Sequence, residues 1–272
     1  MTRFVIAPQW QGSSSSRAMQ LIDGAEAIAG DLPRAATIAL DAPTEAGDAQ
    51  GTAVLRASAL ARMRERISDA VASAAPGEHA VTVGGDCGVA LGAVSAVAGD
   101  DLAIVWIDAH ADLNTPESSP SGAFHGMVLR AILGDGVDPL RLDPGIPSSR
   151  VVLAATRSLD AEEQRFIDEH GIRVIPASAL SDPDALAEAV VSTGAARVHV
   201  HVDLDALDPS EITGVSFAEP FGAAAADVAA SIRRLRERVP LAGATITEFS
   251  PSSPAAAVDD LGTILRLVGA LA

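Results

Sequence analysis

Short apolar runs alternate with longer segments of helical periodicity along almost the whole chain, the pattern of βα units feeding a parallel sheet. Strands are predicted near Phe4 to Ala7, Ala36 to Leu40, Ala80 to Val83, Ala103 to Ile107, Val151 to Ala155, Arg173 to Ile175, Val198 to Val202 and Ala244 to Thr247. Helical spacing of apolar positions is clearest from Ala53 to Ala74, Glu162 to His170, Pro183 to Thr193, Ala224 to Val239 and Val258 to Leu271. The stretches GSSSSR at Gly12 to Arg17 and DPGIPSS at Asp143 to Ser149 are predicted loops, because Gly, Ser and Pro supply turns and sustain no core. The whole predicts an α/β fold with an eight-stranded, mostly parallel sheet flanked by helices. Neither loop is long enough to mark a linker and there is no internal repeat, so one domain spanning 1–272 is expected.

Composition fits that picture. The chain is 48% hydrophobic but only 3% aromatic, with no Tyr, as suits Ala- and Val-rich helices packed on a parallel sheet. A formal charge of −17 argues against nucleic acid or an anionic membrane as partner. It is compatible with a cationic substrate, and equally with simple solubility. Cys87 is the only cysteine, so there is no internal disulfide, and a reducing cytoplasmic compartment is expected. The opening MTRFVIAPQW reads as a first strand and not as a signal peptide, and no apolar stretch is long enough to span a bilayer.

The residues with chemistry sit where predicted strands end. Cys87 closes HAVTVGGDC, Asp108, His110 and Asp112 follow LAIVWI, Arg157 and Asp160 follow VVLAAT, Asp203 and Asp205 follow RVHVHV, and Glu248 follows LAGATIT. Ligands of open parallel sheets bind outside the carboxyl ends of the strands, so five strand ends are expected to face one crevice. Residues two apart in extended backbone point to one side. Asp108, Asp112, Asp203 and Asp205 would then be four carboxylates around one space, repelling one another by several kcal/mol unless cations neutralise them. Carboxylate oxygens with an imidazole favour Mn²⁺ or another fairly hard divalent ion, and the ligand count allows two ions. Water between two such ions would ionise near neutral pH. Taken alone, DAHAD could also be an exposed acidic turn with a stray histidine. His199 and His201 share the alternation of Asp203 and Asp205 and read as satisfied core histidines lower on the strand, with support of the ligands as the alternative.

These motifs resemble the arginase and agmatinase (ureohydrolase) family of dimanganese enzymes. GGDC at Gly84 to Cys87 is similar to that family's GGDH, and DAHAD at 108–112, SGAFHG at 121–126, DLDALDP at 203–209 and TEFSP at 247–251 follow in the family's order. The resemblance implies a three-layer α/β/α fold and two Mn²⁺ per chain. It implies that Asp108 and Asp203 bridge the ions, that Asp112 and Cys87 serve one and that His110 and Asp205 serve the other. It also implies that His125 protonates the leaving amine, that Asp112 steadies the tetrahedral intermediate, and that Glu248 holds the guanidinium of a small cationic substrate. Asn114 and Ser121 match positions that hold an amino-acid carboxylate, and Asp160 one that meets an α-amino group. Ordinary turn chemistry is the alternative for these three. The family forms oligomers, so a homo-oligomer is allowed, although the chain ends at Ala272 directly after its last helical pattern with no tail to tie subunits together.

Three departures bear on substrate. Cys87 stands where the family has histidine, and a thiolate is softer and more negative than imidazole, so one Mn²⁺ is expected to be labile. Ala123 replaces an asparagine, and EITGVSFAEPFG at 211–222 differs from the family's loop. The Cys87 change resembles the branch that hydrolyses Nω-hydroxy-L-arginine to L-ornithine and hydroxyurea in D-cycloserine (antibiotic) biosynthesis. Arginine or agmatine hydrolysis is the nearest alternative. A mononuclear zinc deacetylase-like amidohydrolase and a non-catalytic metal-binding protein are the others.

Overall fold

The computed structural model describes residues 2–272. Eight strands, β1 (Thr2–Ala7), β2 (Thr37–Ala39), β3 (His79–Gly84), β4 (Leu102–Ile107), β5 (Val151–Ala154), β6 (Arg173–Ile175), β7 (Arg197–Asp203) and β8 (Leu241–Thr247), form one sheet in the order β2-β1-β3-β8-β7-β4-β5-β6. The helices are α1 (Gln20–Gly30), α2 (Ala57–Ala72), α3 (Val89–Ser95), α4 (Val128–Ile132), α5 (Ala161–His170), α6 (Pro183–Val191), α7 (Ala225–Arg238) and α8 (Pro254–Leu271). Every strand pairing is parallel, so the sheet is wholly and not just mostly parallel.

The alternation along β4 shows why the chain makes three layers. Ala103, Val105 and Ile107 pack into a core shared with α1, α6, α7 and α8, while Leu102, Ile104 and Trp106 pack into one shared with α2, α3, α4 and α5. All six are buried, which is why the strand reads as a continuous apolar run.

All eight predicted strands are present, with boundaries shifted by up to three residues. Helix α2 starts at Ala57 and not Ala53, because Arg56 takes a left-handed conformation with φ 58 and forces the chain to turn before the helix. The pattern did not reveal α1, α3 or α4. VALGAVS in α3 is apolar on nearly every side, so it has no polar face to show a helical period. Helix α1 carries Gly24 in its interior, a poor helix former. A Cβ there would meet the Phe249 carbonyl oxygen at 1.9 Å, so the close helix–loop contact requires glycine. Among the described residues no helix is long and apolar enough to cross a membrane.

Candidate metal centre and active site

Each functional side chain is set by the point at which its strand stops. Beyond β3 the chain turns through Gly85, where a Cβ would lie 1.6 Å from the Gln9 carbonyl oxygen, so only glycine admits this turn. Asp86 then anchors the loop, accepting from the Gln9 side chain at 2.8 Å and from the backbone N–H of Gly12 at 2.8 Å and Gly88 at 2.9 Å. Burial outweighs these donors and pushes the Asp86 carboxyl up to about 6. Cys87 follows, buried, with its thiol donating to Asp203 Oδ2 at 2.9 Å and its backbone N–H to Glu248 Oε1 at 3.3 Å.

Asp108 ends β4 fully buried. Its Oδ2 accepts from Trp106 Nε1 at 3.0 Å and its Oδ1 from the His110 N–H at 2.6 Å. Asp203 holds the other half in the same way, with Oδ1 accepting from the Asp205 N–H at 2.8 Å. The halves lock together where Asp205 Oδ1 accepts from the Ala109 N–H at 3.1 Å and Asp205 Oδ2 lies 3.0 Å from His110 Nδ1. Asp112 and Glu248 are both left-handed, with φ 53 and φ 66, a conformation unfavourable for side chains with a Cβ. Such backbone costs about 1–3 kcal/mol per residue and persists where surroundings over-determine it, commonly at functional sites.

Electrostatically the site is a cluster of acids around one cationic group, the His110 imidazole. A cavity of about 160 Å³ is lined by Cys87, His110, Asp112, Asp203, Asp205 and Glu248 together with His125, Asn114, Ser121, Asp160, Glu163 and Phe217, with no Lys or Arg among the lining residues. Burial and then the neighbouring Asp205 push Asp108 up to about 7. Burial, then the adjacent carboxylates, raise Asp112, Asp203 and Glu248 well above the usual range. Burial and Asp203 do the same to the Cys87 thiol. Burial alone would lower His110, but its bonds to Asp108 and Asp205 prevail and push it up to about 12.

The donor set fits divalent cations. Cys87, Asp108, His201 and Asp203 can bring ligand atoms within 4.8 Å of one another, as can Asp108, His110 and Asp205. Asp108 therefore belongs to both groups and Asp203 to one, while Asp112 belongs to neither. Asp112 Oδ2 and Glu248 Oε2 are buried with no protein partner. Buried carboxylate oxygens without donors are costly, and a cation or a cationic ligand would supply the missing contacts.

The remaining residues predicted from sequence divide. His125 lies beside Glu248, Nδ1 to Oε1 3.9 Å, and its Nε2 is 3.0 Å from the exposed Ser14 hydroxyl. Burial, then the charge on His110, lowers the His125 imidazole to about 4, so it is neutral at pH 7. Asn114 donates to Asp160 Oδ2 at 2.8 Å and accepts from Ser118. Asp160 also caps α5 in a reciprocal box with Glu163, and Ser121 accepts from the Ala123 N–H at the exposed rim. Arg157 does not line the cavity. It points away from it and binds the carbonyls of Ala155, Asp205, Ala206, Leu207, Glu219 and Pro220. Arg157→Ala should leave several of these acceptors without donors, destabilising the chain by about 1–3 kcal/mol and loosening the 205–220 loop. Urea unfolding checks the first effect and proteolysis of the loop the second.

His199 and His201 are buried as a core reading requires, but they are not satisfied. Both ring nitrogens of His199 and Nε2 of His201 lack a partner. Ser14, Glu163 and Phe217 also join the site without a signal in the sequence. Ser14 and Phe217 lie in loops with no periodicity, remote in sequence from the motifs they meet.

Strand order and paired acids at the ends of β4 and β7 define an α/β protein with a candidate two-cation centre at its strand ends. The chain belongs to the arginase family, whose model matches residues 9–261. It is 40% identical over 147 residues to an arginase of Staphylococcus aureus, covering 49% of this chain and 48% of that one. It is 37% identical over 182 residues to an arginase of Bacillus caldovelox, covering 61% and 60%. The matched stretch thus spans about half the length of the Staphylococcus relative. The solved Bacillus caldovelox arginase superposes with a TM-score of 0.79 at 28% identity over 98% of this chain and 97% of that one. The arginase of Entamoeba histolytica superposes at 0.87 with 21% identity, over 99% and 97%, which is a likeness of fold.

Proposed function

We propose that this chain, folded as one domain over 1–272, hydrolyses the guanidino C–N bond of Nω-hydroxy-L-arginine to give L-ornithine and hydroxyurea. The observation that carries this reading is Cys87, a buried thiol at the heart of an otherwise complete set of acids. Asp108 and Asp203 with Cys87, and Asp108 with His110 and Asp205, would hold two divalent cations, Mn²⁺ being the best match to this mainly oxygen donor set. When bound, such cations supply Lewis acidity that brings water close to ionisation at neutral pH.

The chain's own residues do the rest. Glu248 Oε2, buried and unpaired, accepts N–H from the planar guanidino group, for which a carboxylate has the right geometry. Asp112 Oδ2 accepts from the same group as its carbon becomes tetrahedral. Neutral His125 hands its Nδ1 proton to the departing amine nitrogen as Nε2 takes a proton relayed from solvent by the Ser14 hydroxyl, so the ring ends neutral. Asn114 has one amide hydrogen left after its bond to Asp160, and with Ser121 it meets the amino-acid carboxylate. Asp160 faces the α-amino group. N-hydroxylation lowers the basicity of a guanidine and makes its carbon easier to attack, which suits a centre whose thiol ligand gives up its proton reluctantly.

The names of the relatives favour L-arginine as the second reading. Steady-state kinetics on Mn²⁺-loaded protein, with products identified as hydroxyurea or urea, separates the two. Higher kcat/KM for Nω-hydroxy-L-arginine is expected, and equal or better use of L-arginine overturns the substrate assignment.

A further inference from the structure

We propose that His201 is itself a metal ligand, its Nε2 entering the coordination of the cation held by Cys87, Asp108 and Asp203. The assignment rests on reading the strand-end acids as a metal centre. A His201 ring nitrogen lies in the same 4.8 Å group as ligand atoms of those three residues. Its Nδ1 is 2.7 Å from Thr245 Oγ1, and the β7–β8 register sets these two residues side by side. With Nδ1–H donating to that hydroxyl, Nε2 is left as a bare lone pair, and it is buried with no protein partner. A metal-binding histidine is held in this way, its second nitrogen fixed by an oxygen behind it.

Orientation is fixed from the other side as well. The His201 ring stacks on Trp106 with centroids 3.6 Å apart and planes at 14°, and Trp106 Nε1 donates to Asp108 Oδ2. One indole therefore braces both the imidazole and a carboxylate of the same group. His199, two residues earlier on the same face, is the internal contrast. It is equally buried, but neither nitrogen has an orienting partner and it belongs to neither ligand group. Ligation by His201 would give each cation one imidazole, His201 for one and His110 for the other.

Equilibrium dialysis of the chelator-stripped full chain against Mn²⁺ tests this. Wild type should take up two ions. His201→Asn keeps a donor for Thr245 but removes Nε2, and should weaken one ion by more than about tenfold while leaving the other. Thr245→Val should weaken the same ion by a smaller factor. In ¹⁵N-histidine-labelled wild type the bare Nε2 resonance of His201 should move on addition of Zn²⁺, a readout independent of whether any variant folds. Two ions retained by His201→Asn at wild-type affinity, or a His201 resonance that stays put while zinc binds, overturns the assignment and leaves the metal centre standing. A wild-type chain that binds no divalent ion overturns the metal centre itself.

Discussion

Cys87→His should tighten Mn²⁺ binding and raise activity towards L-arginine. The thiol lies among buried acids, 2.9 Å from Asp203 Oδ2, and its environment holds it protonated. Every ion bound there must displace that proton, and the displacement subtracts from affinity. An imidazole loses no proton and adds no negative charge. Cys87 lines the cavity, so the larger ring can extend into open space without overpacking the core. A gain in affinity on the order of tenfold is expected, the scale on which single groups around a metal move its binding. Isothermal titration with Mn²⁺ and arginine kinetics measure the two effects. If neither changes, Cys87 is not a ligand.

Asp112→Asn should act in opposite directions on activity and on the stability of the metal-free chain. Asp112 Oδ2 is buried and unpartnered, and burial together with the charge of Asp108 raises its pKa well above the usual range. A carboxyl whose folded pKa lies above its unfolded value of about 4 destabilises the fold as pH rises through that window and beyond. At neutral pH the amide removes this repulsion. Asparagine also tolerates the left-handed backbone at φ 53, so the loop geometry is kept. In chelator the thermal midpoint should rise, by about 2–4 °C for each kcal/mol of repulsion relieved in a chain of this size. The amide is a poor stand-in for a carboxylate facing cations and a guanidino group, so kcat should fall by about a hundredfold or more. Unchanged turnover would remove Asp112 from the reaction, and a lower midpoint in chelator would contradict the electrostatic account.

Cys87 and Asp112 act through neighbours that are far apart in sequence, and the same separation divides what the sequence shows from what it does not. The strands were legible because burial on both faces makes each a short apolar run, and β4 shows this with six buried residues in a row. Acids spaced two apart at the ends of β4 and β7 were legible for the same reason, since period-two geometry is a local property of extended backbone. Helix α3 was hidden because a helix surrounded by protein has no polar face. Arg157 sits among the strand-end residues by position, but the turn at Ala155, φ 64, sends it outward to grip the loop carbonyls.

The sequence by itself determined the α/β class, the order of its strands along the chain, the acids at their carboxyl ends and the odd cysteine among them. Those properties follow from local backbone geometry and from the chemistry of single side chains. Only the tertiary structure decided that Asp108 is shared by two groups, that Asp112 and Glu248 keep an unpaired buried oxygen, and that His201 is braced between Trp106 and Thr245 with a bare nitrogen. The physical reason is that strand order in a parallel sheet is set by crossovers. β4 and β8 become the neighbours of β7 only when α-helical connections have packed on the sheet, and hydrogen-bond satisfaction is a property of those neighbours.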